Sequence, residues 1–455
     1  MAEQPLPPRC GLGPAVVILL LTAALGGGVA FLLAADSRGD PSAPTPSEAA
    51  SEPAAGTPTA SPTQAATAAP SEPSDPPQGR RGQPADVSEL AEQVAEIRGL
   101  GLRRKVRARV IAPARLADKV SELGFAETDA DRTEADERVL VTLRLAEPDL
   151  DLRDLLEDLY REQVLGVYVP EEKTLYVRAS ADQLSPAAKV TTAHEITHAL
   201  QDRAFDLTDL RSHSAGDSDA GLATLSLIEG DAVLTGQLWA QRHLSSDEQG
   251  QAGAEVQGDA NEMLARTPDY LRNALFFPYT RGTAFVQHLY AAGGFEAVDA
   301  AFDNPPTTTE QILHADAYRA GEEAADVPDA GRPGARWERA ETYEFGEFDV
   351  GELFRPLGSG VATEAAEGWG GGEATLWTRG RRSAVAVSLT FDSDSDADEA
   401  CDAVPAWWAE VADSRPVGDG VQAGDGDHLA WRCDGHRVVL GVAPGPAAAR
   451  RLIGD

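Results

Sequence analysis

Lysine is nearly absent from this chain, and basic residues are few altogether: 39 Lys+Arg stand against 74 Asp+Glu, for a net charge of −35. A balance that acidic excludes nucleic acid and anionic membrane surfaces as partners. Cysteine is equally scarce, with three in 455 residues, and none stands in a histidine pattern that would support thiol catalysis. Cys10 precedes the first apolar run, so it is not the lipid-bearing cysteine that follows a lipoprotein signal. A glycine-rich run exists at 368–372 (GWGGG), read as a turn, but no helix with Lys-Ser/Thr follows it, which excludes a nucleotide phosphate loop. Only eight histidines are present, so the places where two of them fall together carry weight.

One long apolar run is present. Residues 14–35 carry no charge over 22 positions, enough helix to cross a hydrocarbon core of about 30 Å. Arg9 precedes the run and Asp36 follows it, which leaves residues 1–13 cytoplasmic and the bulk of the chain outside. The expectation is a single-pass anchor, with a signal peptide cleaved near Ala35 and a secreted product as the alternative. Residues 36–86 are Pro, Ala, Ser, Thr and Glu with almost no large apolar side chain. Such a segment does not bury enough surface to offset its ordering entropy and reads as a disordered, extended tether.

Thr191–Asp202 (TTAHEITHALQD) organises the folded part. Residues four apart on a helix share a face, so His194 and His198 can aim at one metal ion, and zinc suits that geometry. Glu195 leaves the helix about 100° around from His194, beside the metal and its bound water, where a general base belongs. Ser185-Pro186 supplies an N-cap and first helical residue, and Val190, Ala193, Ile196, Ala199 and Leu200 supply a buried side. A catalytic zinc takes three protein ligands and keeps one position open. Glu229 fits the third place: it lies at the edge of the apolar face marked by Leu222, Leu225, Ile228, Ala232 and Trp239, where a carboxylate is costly to bury unless it meets a cation. Gly230 beside it permits close approach of another helix.

The run H-E-I-T-H-A-L-Q-D at 194–202, followed by I-E-G-D-A at 228–232, resembles the gluzincin clan of zinc peptidases, and more narrowly the peptidase MA-like metalloproteases of bacterial cell envelopes. The resemblance covers roughly residues 90–320. It implies a zincin-like fold, Zn2+ held by His194, His198 and Glu229, Glu195 as base, and a peptide or protein substrate at the cell envelope. It also implies that the hairpin before the metal helix edges the cleft, and that Tyr279, in Y-T-R-G just before a helix, stabilises the oxyanion. His314, in a P-P-x-x-T-E-Q-I-L-H run like that of the envelope proteins, borders the cleft by the same resemblance. The clan often orients a histidine with an acid one turn after the glutamate ligand; here the nearest is Asp231, only two residues on. His213, His243, His288, His428 and His436 have no constellation around them.

The predicted order is helix (88–99), strand (105–112), helix (114–125), strand (139–145), helix (151–162), a hairpin turning at 170–173, and the two ligand helices joined by a loop at 206–220. In the stretch 278–294, Gly282, Ala284, Phe285, Val286, Leu289 and Tyr290 mark a helix that stops at Gly293-Gly294. After residue 331 a short helix is predicted at 343–356, then strands at 374–379 and 384–391, a helix at 396–412, strands at 428–433 and 436–442, and a last helix at 445–452. The expected architecture is α+β: a zincin-like metallopeptidase domain over 87–330, and a small α+β accessory domain with an antiparallel sheet over 331–455. An extracellular setting pairs Cys401 with Cys433. The function expected is a membrane-anchored, extracellular zinc metallopeptidase; the alternative is a non-catalytic surface binding or scaffold protein with a structural or degenerate zinc site.

Overall fold

A computed structural model describes residues 85–102, 104–126, 130–162, 166–178, 184–214, 216–259, 265–327, 329–418 and 420–454. The expected anchor at 14–35 and nearly all of the tether lie outside these residues. Among the described residues no helix is long and apolar enough to cross a membrane. The fold is mixed α+β.

Helix α1 (Ala85–Arg98) is followed by β1 (Arg107–Ile111) and α2 (Pro113–Ala126). Next come α3 (Ala130–Thr142), α4 (Leu152–Glu162), and the hairpin of β2 (Gly166–Val169) and β3 (Thr174–Arg178). The three strands form a sheet of order β1-β3-β2, with β1 parallel and β2 antiparallel to β3, which leaves β2 at an edge. Residues 139–145 alternate V-x-V-x-L-x-L and read as a strand, yet they complete and leave α3. Ala135 with Asp136 and Val139 with Leu140 are buried as adjacent pairs four apart, a pattern that a helix puts on one face and a strand splits between two.

Helix α5 (Pro186–Phe205) starts as expected, with the Ser185 side chain accepting from the Ala188 amide and Pro186 in the first turn. It is buried on nearly all sides, because α1 and α7 (Ser218–His243) pack against it and the hairpin lies over it. The segment between α5 and α7 is not all loop: Asp206, at φ 53°, ends α5 and its side chain accepts from the Asp209 amide to start α6 (Leu207–His213). After α8 (Ser246–Asp259) comes α9 (Asp269–Asp303), which passes through Pro278 and Tyr279 and breaks only at Gly293 and Gly294. Tyr279 therefore sits inside a helix rather than before one. Helices α7 and α9 cross at Gly230 and Gly282, where a Cβ on either glycine would overlap the other helix's backbone. Two short helices, α10 (Thr309–Leu313) and α11 (Ala315–Ala320), close this half.

The remainder is built on a seven-stranded antiparallel sheet. Strand β4 (Glu338–Glu344) precedes α12 (Glu347–Phe354) and α13 (Ser359–Glu364); β5 (Trp369–Arg379), β6 (Arg382–Phe391), α14 (Asp394–Ala412), β7 (Arg415–Gly418), β8 (Val421–Gly424), β9 (Asp427–Asp434), β10 (Arg437–Ala443) and α15 (Pro446–Leu452) follow. The order is β4-β5-β6-β10-β9-β8-β7. The glycine run expected as a turn is the bulged start of β5, and the helix expected over 343–356 shares that stretch with the end of β4. Leu389, Val387 and Leu440 on one face pack under Trp407 and Trp408 of α14. Cys401 on α14 and Cys433 on β9 form a disulfide with Cα atoms 6.3 Å apart.

The two halves share a core. Ala135 and Val139 of α3, with Leu143 just past its end, belong to the same hydrophobic cluster as Leu376, Val385 and Trp408. Asp136 accepts from the Tyr343 hydroxyl at 2.8 Å, and Arg144 pairs with Asp427 at 3.1 Å.

Candidate metal centre

Three side chains from two helices meet in the interior. His194 and His198, one turn apart on α5, present their rings at 87° with Nε2 atoms 3.0 Å from each other. Glu229 reaches in from α7, with Oε2 3.0 Å from His194 Nε2 and 3.4 Å from His198 Nε2. These are three lone-pair-bearing atoms at the corners of a small triangle, an arrangement that repels unless a proton or a cation joins them. Donors bound to zinc at about 2.0–2.1 Å in a tetrahedron lie about 3.3–3.4 Å apart, so the triangle fits a zinc-sized ion. The donor set, two imidazoles and one carboxylate, is also the chemistry zinc takes.

The electrostatics point the same way. Burial pushes Glu229 up, but the rings of His198 and His194 outweigh it and hold the carboxyl well below the usual range. Burial pulls His198 down, and the Glu229 carboxylate overrides it, raising the ring to about 9. Burial lowers His194. A carboxylate at 4 % exposure is costly to keep charged without a positive partner, and the two imidazoles are the groups that face it.

Glu195 is wholly buried beside the triangle. Its Oε2 accepts from the Tyr168 amide of β2 at 2.7 Å, and Oε1 has no hydrogen-bond partner among the described residues. Burial pushes its carboxyl up to about 8. His194, Glu195 and His198 together form a group of metal-holding geometry. Tyr279 of α9 stacks on the His194 ring with centroids 6.1 Å apart, which places it beside the histidine pair. His314 does not join it: it lies between α10 and α11 with Nε2 2.9 Å from Glu347 Oε1 of α12, a hydrogen bond that raises its pKa.

Several residues at the centre carry no motif of their own. Gln201 bonds His198 Nδ1 through its Oε1 at 2.8 Å and gives its amide nitrogen to Ile228 O and Asp231 Oδ2. Asp231 thus reaches the histidine through Gln201, which explains its spacing of two from Glu229. Gln201 has a legible signal, since it lies three residues past His198 on the same face. Tyr168 and Lys173 have none: the Tyr168 hydroxyl and Lys173 Nζ both bond Asp202, at 2.6 Å and 2.9 Å, and so strap the hairpin to α5.

Residues 335–453 match the family model of a domain of unknown function (DUF8575). That stretch is the seven-stranded sheet with its helices, and it excludes the histidine pair. No curated protein and no solved structure matches the chain.

Proposed function

We propose that this protein is a zinc-dependent peptidase of zincin type, tethered outside the cell by residues 14–35, and that it hydrolyses peptide bonds of an envelope substrate. The observation that carries the reading is the convergence of His194 Nε2, His198 Nε2 and Glu229 Oε2 within 3.4 Å, with the carboxylate of Glu195 beside them. His194, His198 and Glu229 would hold the ion. When bound, zinc polarises a carbonyl and acidifies a water. Glu195, in the same group as the two histidines, would accept that water's proton and deliver it to the leaving amine. The Tyr168 amide fixes one oxygen of Glu195 and leaves the other for the proton. The Tyr279 hydroxyl, carried beside His194, is the candidate donor to the oxyanion.

Metal content decides the reading. Mass spectrometry of the soluble chain is expected to give one zinc per molecule, lost in His194→Ala and in Glu229→Ala. Absence of metal from the folded wild type would sink the proposal. Glu195→Gln is expected to keep the zinc and to lose turnover of a peptide library by about 10²- to 10⁴-fold.

A second reading has its own observation. His194, Glu195, His198 and Glu229 are between 0 and 6 % exposed, which is how a structural zinc in a binding or scaffold protein would be enclosed. Hydroxamate binding to the zinc-loaded protein favours the enzyme; a closed coordination sphere that refuses it favours the scaffold.

A further inference from the structure

Arg98 ends α1, and its side chain is completely buried. Its Nε donates to both oxygens of Asp231, at 2.7 and 3.0 Å, and Nη2 reaches Asp299 at 2.6 Å. The guanidinium also lies 4.5 Å from the centroid of the Phe295 ring. Phe295 and Asp299 follow the break at Gly293-Gly294, so three elements of the fold converge on one cation. Taking a guanidinium out of water is costly, and a buried ion pair is often no more stabilising than apolar side chains of the same volume. Stability alone is therefore a weak reason for this arrangement.

The hydrogen bonds supply a better one, because they have a direction. Arg98 keeps Asp231 an acceptor. Gln201 Nε2 donates to Asp231 Oδ2 at 2.8 Å and to Ile228 O at 2.9 Å. Both of those atoms only accept, so the amide nitrogen must face them and Oε1 must face His198. Oε1 also only accepts, so the proton in its 2.8 Å contact sits on His198 Nδ1. Nε2 is then the nitrogen turned toward Glu229 and His194. The acceptor at Nδ1 is a neutral amide, with the carboxylate one residue further away and paired to Arg98.

We propose that Arg98 is a positioning residue for the candidate metal centre: through Asp231 and Gln201 it selects which nitrogen of His198 faces the metal and holds the ring in place. The inference rests on reading His194, His198 and Glu229 as metal ligands. It ties the first helix after the tether to the centre without any contact between Arg98 and the metal.

The test is zinc affinity, by competition with a chromophoric chelator, together with the visible spectrum of the cobalt-substituted protein. The wild type, Arg98→Met, Arg98→Lys, Gln201→Met and Asp299→Asn are compared. Loss of a partner that orients a metal ligand weakens binding about 10- to 100-fold, which is expected for Gln201→Met and Arg98→Met, with a changed cobalt spectrum in both. Arg98→Lys keeps the buried charge without the planar donor fork and is expected to fall between; it also decides the matter where Arg98→Met does not fold. Asp299→Asn removes only the charge of the partner on the solvent side and is expected to bind as the wild type does. A wild type that binds one zinc, with Arg98→Lys and Gln201→Met binding equally well and with unchanged cobalt spectra, overturns the inference and leaves the metal reading standing. A wild type that binds no zinc overturns both.

Discussion

At the scale of single residues, the candidate centre is a problem of buried charge that a cation solves. The two imidazoles that face Glu229 hold its carboxyl low in spite of burial, while burial pushes that of Glu195 up. Two carboxyls within one small site are thereby pushed in opposite directions by their surroundings. Tyr279→Phe tests the third role. It removes only a hydroxyl from a ring that keeps its place on His194, so zinc content is expected to stay whole while kcat falls about 10²-fold with KM little changed. A fall in zinc content instead would make Tyr279 a packing residue.

At the scale of elements, two glycines let α7, which carries Glu229, lie directly against α9, which carries Tyr279. Gly230 follows Glu229 directly, and opposite it Gly282 gives the α9 backbone no side chain to hold it away. Gly230→Ala or Gly282→Ala forces backbone against backbone, which no rotamer change relieves. Overpacking of this kind costs about 1–3 kcal/mol, and more where the backbone itself must move, so a lowered urea midpoint accompanied by weakened zinc binding is expected. Unchanged values for both would mean that the crossing tolerates separation. The α5 helix has a different weakness, since only its first turn is set locally. Ser185→Ala removes the cap to the Ala188 amide and is expected to cost about 1 kcal/mol in the same assay.

At the scale of the whole molecule, the two halves are joined along a seam rich in buried acids. A cavity of about 40 Å³ there is lined by Asp136, Tyr270, Tyr343 and Asp349, among others. Burial pushes Asp136 up to about 7 against the opposing Arg132, and Asp349 up to about 6 against the Tyr270 hydroxyl. Asp219, buried and bonded to Thr309, is raised well above its ordinary value. An acid whose folded pKa exceeds its unfolded value binds more protons in the folded state between the two, so its share of stability falls as pH rises through that window. For Asp136 the window runs from 3.8 to about 7. Melting temperatures of wild type and Asp136→Asn are therefore expected to diverge across it, the variant losing the smaller amount toward neutral pH. Parallel curves would show that Asp136 does not set the seam's pH response. The disulfide acts only within the second half, closing a separation of 32 residues, and replacing both cysteines with alanine is expected to cost about 3–4 kcal/mol on the loop-entropy estimate.

Much of this is legible in the amino-acid sequence. H-E-x-x-H on a capped helix, a carboxylate on the edge of an apolar face and a glycine beside it are local patterns, and periodicity alone places them on helices that the fold then contains. The mixed α+β class, the antiparallel second sheet and the hairpin before α5 follow from the same alternation of apolar and polar residues. What only tertiary structure decided depends on contacts between residues far apart in the chain. Val139 and Leu143 alternate like a strand, and only the sheet they pack against makes a helix the better burial. Arg98 reaches Asp231 across 133 residues and carries no motif that announces it. His314 sits in a recognisable run, yet the fold gives it Glu347 as its partner rather than the histidine pair. Spacing along the chain dictates which side chains share a face of one element; which faces meet is set by packing, and the orientation of His198 is a consequence of that packing.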